Sequence, residues 1–193
     1  MIKTGIYSGS FNPIHIGHLA LANWLCEYGG LDEVWFLVTP QNPLKRKADL
    51  LEDTFRLELV KKAIGTYTKF KACDIEFTLP TPLYTINTLA ALTSQYADRE
   101  FTLIIGSDNW GIIDRWKDAD KLVATYPIVV YPRLNHPVHI DATQTLVRKV
   151  DAPVIEISST FIRESLLQDK DVRFFLPEAI HSNINSIKAS LKK

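Results

Sequence analysis

Short apolar runs of strand length recur along the chain and are separated by segments with helical periodicity. Ile6-Tyr7-Ser8 closes a first short strand, and later strands are predicted at 34–38, 101–105, 126–131 and 154–157. Apolar residues spaced three and four apart predict helices between them. These helices are predicted over 17–28, 52–64, 84–96 and 159–167, with a last helix after Pro177. Residues 39–47 read as a loop, 70–77 as extended chain and 135–150 as an irregular excursion.

This alternation of strand and helix predicts an α/β fold. The runs are apolar throughout, which is typical of parallel strands that are buried on both faces. We therefore expect a Rossmann-like, doubly wound parallel sheet forming a single domain over residues 1–193. In such sheets ligands bind at the carboxyl ends of the strands, so the residues that follow each strand are the candidates for function.

Composition narrows the classes of function. The 193 residues are 46% hydrophobic and 23% charged, and 22 basic residues balance 22 acidic ones. Zero net charge disfavours a general nucleic-acid binder or a polybasic membrane binder. Neither a signal peptide nor a membrane-spanning run is evident, and Cys26 and Cys73 are not spaced as metal ligands. We expect a cytoplasmic protein, with Cys26 packed in the interior.

The strongest chemical signal is the segment Gly9-Ser10-Phe11-Asn12-Pro13-Ile14-His15-Ile16-Gly17-His18. It joins the first strand to the first helix, and its two histidines lie three residues apart near the helix start. Free N–H groups at a helix start favour anions. Two imidazoles there could donate hydrogen bonds to a phosphate as negative charge develops. The plainer alternative is that His15 and His18 form a surface pair or a helix cap.

A second phosphate-binding signal lies near the other end of the chain. Ile157-Ser158-Ser159-Thr160-Phe161-Ile162-Arg163 again follows a predicted strand and opens a helix. Hydroxyl and N–H groups there suit triphosphate oxygens, and Arg163 could supply a forked cation to the β- or γ-phosphate. A simple serine cap followed by a solvated arginine would produce the same pattern.

The two segments together resemble a known family. His15-Ile16-Gly17-His18 resembles the HxGH signature of the nucleotidylyltransferase superfamily, and residues 157–163 resemble the ISSTxIR motif of bacterial nicotinate-nucleotide adenylyltransferases. The resemblance implies transfer of AMP from ATP to nicotinic acid mononucleotide, giving deamido-NAD and pyrophosphate in NAD biosynthesis. It implies four catalytic residues, namely His15, His18, Lys45 and Arg163. It implies nucleotide binding by Gly9, Ser10, Phe11, Gly17, Gly106, Asp108, Ser158, Ser159 and Thr160.

The middle of the chain extends the resemblance to the acceptor site. Pro40-Gln41-Asn42-Pro43-Leu44-Lys45 is similar to that family's proline-rich loop ending in lysine, and Leu83-Tyr84-Thr85-Ile86-Asn87-Thr88-Leu89 is similar to its SYTIDTL segment. The resemblance implies that Tyr84, Thr85, Trp116 and Arg133 bind the acceptor. Lys45, Thr85 and Trp116 could instead be a solvated lysine, a helix cap and a packed aromatic residue. Asn12, Leu44, Leu83 and Asn87 depart from the family pattern.

These expectations include a cofactor and partners. Mg²⁺ is expected on the phosphates of ATP, with no protein metal site, because no carboxylate cluster offers a cage. ATP and nicotinic acid mononucleotide are the expected ligands, nucleic acid and membrane are not, and homo-oligomer formation stays open. Two alternatives are the same chemistry on nicotinamide mononucleotide or another phosphate ester, and a non-catalytic nucleotide-binding regulator.

Overall fold

The chain folds around one six-stranded sheet in a computed structural model, which describes residues 1–40 and 50–192. Every strand pairs parallel to its neighbours. The spatial order is β3-β2-β1-β4-β5-β6. The strands are β1 Ile2–Gly9, β2 Glu33–Val38, β3 Phe70–Cys73, β4 Arg99–Gly106, β5 Ile128–Tyr131 and β6 Val147–Lys149. This order confirms the predicted Rossmann-like, doubly wound arrangement.

Helices cover both faces of the sheet. The helices are α1 Ile16–Glu27, α2 Asp53–Ile64, α3 Thr85–Gln95, α4 Ser107–Trp110, α5 Ala119–Thr125, α6 Ser159–Leu167 and α7 Ile184–Leu191. Helices α1, α2, α6 and α7 pack on one face, and α3, α4 and α5 pack on the other. Short 3-10 turns occur at Ile75–Phe77, Ile113–Arg115, Arg173–Phe175 and Glu178–Asn183.

Successive apolar side chains along each strand point alternately into the cores on the two faces of the sheet. In β2, Phe36 and Val38 belong to the core under α1 and α2, whereas Trp35 and Leu37 belong to the core under α3. All four side chains are at most 2% exposed. A strand buried on both sides must be apolar at every position, which is why the sequence shows continuous runs. Cys26 is also buried, as expected.

The position of the site follows from the point where the strand order reverses. From β1 the chain winds outward to β2 and β3, and it then returns to the other side of β1 with β4. The last residues of the strands lie level, since Gly9 pairs with Val38 and Gly106 pairs with Tyr131. The loops after β1 and β4 therefore diverge and leave a crevice at this edge.

Two strand predictions were wrong. Residues 154–157 are not a strand, and Val154 and Ile155 are 48% and 36% exposed. The sixth strand is instead β6, within the stretch that was expected to be irregular, and it pairs with β5 through Ile128 and Val147. A short apolar run does not distinguish a strand from a loop that lines a cavity. Backbone pairing with β5 decides the matter in favour of β6.

Smaller corrections concern two other segments. Only Phe70–Cys73 of the predicted extended segment is a strand, because the chain turns at Ile75–Phe77. The last helix begins as a 3-10 turn at Glu178–Asn183 and becomes α-helical only at Ile184, so Pro177 precedes the turn and is not its first helical residue. Among the residues described, no helix is long and apolar enough to cross a membrane.

Candidate active site

Two cavities open at the carboxyl edge of the sheet. The first, here called the histidine cavity, measures about 200 Å³ and is lined by residues that include Tyr7, His15, His18, Tyr131, Arg133 and Ser158. The second, here called the tryptophan cavity, measures about 360 Å³ and is lined by residues that include Ser10, Thr39, Glu76, Tyr84, Thr85 and Trp116. Both cavities are lined by Tyr7 and Tyr131, which therefore lie at their boundary.

The paired histidines lie at the start of α1. His15 is the residue before the first helical turn, and its ring stacks on that of His18 with 3.6 Å between centroids. The His15 backbone N–H donates to Nδ1 of His18 at 3.2 Å. Because Nδ1 accepts, the proton of the neutral His18 ring lies on Nε2. His18 therefore has both an orienting hydrogen bond and a donor nitrogen, so a capping role and a ligand-binding role are compatible.

The His15 ring is buried and uncharged at neutral pH. It is 4% exposed, and Nδ1 has no hydrogen-bond partner among residues 1–40 and 50–192. Burial, reinforced by the positive charge of Arg133, lowers the pKa of His15 from 6.5 to about 4. Gly17 allows this packing, since a Cβ at that position would lie 3.1 Å from Nδ1 of His15. The glycine in the motif thus makes room for an imidazole of the same motif.

The turn after β1 is held by buried polar groups. The Asn12 side chain is 1% exposed, and its Oδ1 accepts from the Leu51 backbone N–H at 2.9 Å. Arg56, fully buried on α2, donates to the backbone carbonyls of Ser10, Pro40 and Leu51 and to the Asp53 carboxylate. The sequence alone did not mark Arg56 as a residue of the site. Its position on the buried face of α2, together with Leu57, Leu59 and Val60, was the available signal.

The second motif packs directly on the first. Ser158 caps α6, because its Oγ accepts from the Phe161 N–H at 3.0 Å. Ser159 donates from Oγ to the Pro13 carbonyl at 2.9 Å, and Arg163 donates from Nη1 to the Asn12 carbonyl at 2.9 Å. The start of α6 and the turn after β1 therefore form one surface. The serine-cap alternative is correct for Ser158, but Arg163 is not simply solvated.

The segment that follows β4 supports Arg133. The Ser107 Oγ accepts from the Arg133 N–H at 2.9 Å, and the Asp108 carboxylate lies 3.9 Å from the guanidinium Nε. A Cβ on Gly106 would overlap the Asp108 carboxylate and would lie 3.2 Å from Arg133. Gly106 therefore makes room for this charged pair. Arg133, which is predicted to bind the acceptor, lines the histidine cavity.

Helix α3 and a nearby tryptophan shape the tryptophan cavity. Tyr84 is the residue before α3 and is 37% exposed, and Thr85 is its first residue. The Tyr84 carbonyl accepts from the N–H groups of Asn87 and Thr88, so the first turn of α3 begins at the wall of this cavity. Trp116 lines the same cavity together with the cations Arg115 and Lys117. Trp110, by contrast, is a core residue and donates from Nε1 to the His139 carbonyl at 2.8 Å.

The remaining predicted residues line a cavity, lie beside one without lining it, or fall outside the described part of the chain. Gly9, Ser10 and Gly106 line the tryptophan cavity, and Gly17 lines the histidine cavity. Phe11 is 2% exposed, with φ of 43°, and its ring contacts that of His18 at 5.1 Å between centroids. A ligand would therefore meet its backbone and not its ring. Thr160 lies beside Arg163 at 3.3 Å. Lys45 falls outside the described residues.

The predictions from sequence missed several residues that line these cavities. Tyr7 and Tyr131 were assigned only to strands, and Thr39 and Glu76 were not singled out. Arg133 donates from Nη2 to the Tyr131 hydroxyl at 3.0 Å, so Tyr131 orients a residue that was predicted. Burial, followed by the adjacent Tyr131, raises the pKa of Tyr7. Strand residues facing a cavity have the same pattern as strand residues facing a core.

Comparison with known proteins agrees with this geometry. The family model described as cytidylyltransferase-like matches residues 6–165. A probable nicotinate-nucleotide adenylyltransferase of Bacteroides fragilis is 56% identical over 182 residues, which cover 94% of this chain and 90% of that protein. The chain belongs to this adenylyltransferase family. A second family member, from Porphyromonas gingivalis, is 49% identical over 90% of this chain and 89% of its own length.

Solved structures of the family share the fold at much lower identity. Nicotinic acid mononucleotide adenylyltransferase of Plasmodium falciparum, complexed with NaAD, superposes with a TM-score of 0.76 at 22% identity, covering 96% of both chains. A putative nicotinate-nucleotide adenylyltransferase of Vibrio parahaemolyticus gives 0.71 at 20% identity, covering 98% of this chain and 96% of that one. These likenesses confirm the architecture of the adenylyltransferase fold in this chain.

Proposed function

We propose that this adenylyltransferase transfers the AMP part of ATP to nicotinic acid mononucleotide, giving deamido-NAD and pyrophosphate in NAD biosynthesis. The observation that carries the proposal is the meeting of the two cavities at Tyr7 and Tyr131. ATP binds in the histidine cavity, and the mononucleotide binds in the tryptophan cavity. Their phosphates then approach each other at the boundary, where the new bond forms.

The groups around the histidine cavity suit a triphosphate. The Nε2–H of His18, the start of α6 at Ser158 and the guanidinium of Arg163 all lie along the turn after β1. Helix starts and forked cations are the usual partners of phosphate oxygens in proteins. Lys45 is proposed to add a further positive charge. Nucleotide contacts from Gly9, Ser10, Phe11, Gly17, Gly106, Asp108, Ser159 and Thr160 stay proposals of the same kind.

Magnesium enters as part of the MgATP substrate in this proposal. Within the described residues, no group of three or more histidine, cysteine, aspartate or glutamate side chains could hold a metal ion. Mg²⁺ prefers to keep several waters and to bind phosphate oxygens with few protein ligands. The donor groups around the histidine cavity are mainly N–H and hydroxyl groups, which bind phosphate oxygens and leave the metal to the triphosphate.

The tryptophan cavity suits an anionic pyridine nucleotide. The backbone N–H groups of Tyr84, just before α3, and of Thr85, its first residue, can bind a carboxylate. Trp116 offers an aromatic face to a flat pyridine ring. Arg115 and Lys117 line the same cavity and favour a ligand with negative charge. Nicotinic acid mononucleotide combines a carboxylate, a pyridine ring and a phosphate, so it matches all three features.

The chemistry needs positioning and charge stabilisation and no general base. A phosphate oxygen of the acceptor attacks the α-phosphorus in line, forming one P–O bond. The bond from that phosphorus to the bridging oxygen of the β-phosphate breaks, and pyrophosphate leaves with the electron pair. The acceptor phosphate is already ionised at neutral pH, so no proton must be removed. His18 and Arg163 stabilise the charge that develops on the equatorial and leaving oxygens.

A cytoplasmic location remains a prediction, supported by the two free, buried cysteines, which suit a reducing compartment.

The experiment for the function is pyrophosphate release from MgATP by the purified protein with three acceptors: nicotinic acid mononucleotide, nicotinamide mononucleotide and phosphopantetheine. Strong release with the first alone supports the proposal. A preference for either other acceptor would contradict the assigned substrate but keep the chemistry. ATP binding without release would favour a non-catalytic regulator.

A further inference from the structure

Glu76 carries a buried carboxylate oxygen without a partner. It lies in the 3-10 turn after β3 and is 6% exposed. Its Oε1 accepts from the Thr88 hydroxyl at 2.8 Å. The Thr39 hydroxyl lies near enough to the carboxylate to lower its pKa, but Oε2 makes no hydrogen bond of normal geometry in the described part of the chain. An unsatisfied buried acceptor costs about 1–3 kcal/mol, and native proteins rarely leave one. Because Glu76 lines the tryptophan cavity, a bound ligand can supply the missing donor.

Its position along the cavity is defined by a row of polar contacts. At one end the Thr39 N–H donates to the Gly9 carbonyl at 3.0 Å, and the Ser8 and Thr39 hydroxyls lie 3.2 Å apart. At the other end the Thr88 hydroxyl, which donates to Glu76, also lies 3.3 Å from the Tyr84 carbonyl. Glu76 lies between these two ends, because its carboxylate has the Thr88 hydroxyl on the α3 side and the Thr39 hydroxyl on the β1 side.

The acceptor proposed above would span the same two ends. With its phosphate at the turn and its pyridine carboxylate at the start of α3, its ribose lies midway, beside Glu76. Ionised nicotinic acid mononucleotide has no N–H group, and its phosphate and carboxylate only accept. Its two ribose hydroxyls are then its only hydrogen-bond donors. A carboxylate oxygen that needs a donor in this cavity can obtain one from this ligand only at the sugar.

We propose that Oε2 of Glu76 accepts a hydrogen bond from a ribose hydroxyl of the acceptor mononucleotide and so selects acceptors that carry the sugar. The inference rests on the proposed function, since it assumes that the tryptophan cavity holds this acceptor. Burial raises the pKa of Glu76, and the hydroxyls of Thr88 and Thr39 oppose that rise. A ribose hydroxyl acts in the same direction as these threonines, because donation stabilises the ionised carboxylate.

The test compares the natural acceptor with its 2′-deoxy and 3′-deoxy analogues in the wild-type protein and in Glu76→Gln. The variant is isosteric and keeps an oxygen for Thr88. We expect kcat/KM of the wild type to fall about 10- to 100-fold with one of the two analogues, as for loss of a hydrogen bond to a charged group. In Glu76→Gln the same analogue should lower kcat/KM by less than about threefold, because the partner of that hydroxyl is already altered. Glu58→Gln, an exposed position on α2, serves as the control and should keep the wild-type penalty.

Several outcomes would overturn the contact. An equal loss of kcat/KM with the deoxy analogue in both proteins would mean that the hydroxyl contacts another group. No loss in the wild type would mean that the ribose hydroxyls do not contribute to recognition. Calorimetric titration of the acceptor and both analogues gives the same comparison without turnover. If natural acceptor binds with the expected discrimination but no pyrophosphate is released, the contact stands and the proposed catalysis fails. If that acceptor does not bind at all, both proposals fail.

Discussion

Arg163 donates from Nη1 to the backbone carbonyl of Asn12 at 2.9 Å, across 151 positions of sequence. This bond joins the two motifs that carry the candidate chemistry, since Asn12 lies in the turn after β1 and Arg163 lies on α6. Ser159, which donates to the Pro13 carbonyl, strengthens the same junction. The surface that is proposed to bind the triphosphate is therefore built by two distant segments, and its geometry depends on their contact.

We expect Arg163→Lys to lower kcat/KM for ATP at least about tenfold, because lysine keeps the charge but loses the forked geometry. Loss of a charge-assisted bond at the junction should also lower the free energy of unfolding by about 1–2 kcal/mol. Steady-state kinetics and urea unfolding measure the two effects. Arg173→Lys, at a side chain that is 58% exposed, should change neither quantity. Unchanged kinetics in Arg163→Lys would argue that Arg163 has a structural role alone.

His18→Ala should lower turnover about 100- to 1000-fold, as expected for loss of a donor that stabilises transition-state charge. The KM values should change much less, because this donor acts mainly when charge develops. Pyrophosphate release under saturating ATP measures the effect, and circular dichroism checks the fold. His139→Ala removes an exposed imidazole and is the matched control. Turnover within threefold of the wild type would refute the catalytic role of His18.

The burial of His15 predicts how stability depends on pH. Its pKa is 6.5 when unfolded and about 4 when folded, so the unfolded chain takes up the proton first. As pH falls from 6.5 to 4, wild-type protein should lose about 3 kcal/mol of unfolding free energy from this group, with no contribution above pH 7. Urea unfolding of the wild type and His15→Asn at several pH values isolates the contribution. Parallel stability curves for the two proteins would contradict it.

Gly106→Ala should disturb the Asp108–Arg133 pair, because the added methyl group overlaps the Asp108 carboxylate. We expect a loss of about 1–3 kcal/mol in the free energy of unfolding, as for overpacking, together with at least tenfold lower kcat/KM. Thermal unfolding and kinetics measure both. Gly111→Ala is the matched control, since a Cβ there would meet its nearest atoms at 3.5 and 3.6 Å. Equal behaviour of the two variants would show that the close packing at Gly106 has no functional consequence.

Arg56→Met should destabilise the protein by about 3 kcal/mol, because several buried carbonyls lose a donor that methionine cannot replace. Urea unfolding measures the loss. Lys62→Met lies on the same helix at a side chain that is 41% exposed, and it should change stability by under about 0.5 kcal/mol. A loss of similar size in both variants would mean that the buried bonds of Arg56 contribute little.

The sequence was sufficient for the architecture and for recognising the two motifs that are proposed to bind phosphate. Continuous apolar strands can only be accommodated with helices on both faces, so the parallel sheet follows from local pattern alone. The motifs were recognisable because each is a contiguous segment that opens a helix, the first before α1 and the second before α6. Tyr84, Thr85 and Trp116, which the family resemblance implied as acceptor-binding residues, line one cavity in the fold.

Contacts between distant segments decided the rest. Glu76, Arg56 and Tyr131 gain their importance from residues that only the fold brings beside them, namely Thr88, Ser10 and Tyr7 respectively. A strand or helix residue that faces a cavity has the same local sequence pattern as one that faces the core. Backbone pairing placed the sixth strand at β6 and left residues 154–157 lining the histidine cavity. Local periodicity shows which side of a helix or strand is buried. Only the packed fold determines which residues lie opposite that side, and the hydrogen bonds of a buried polar group are made with those residues.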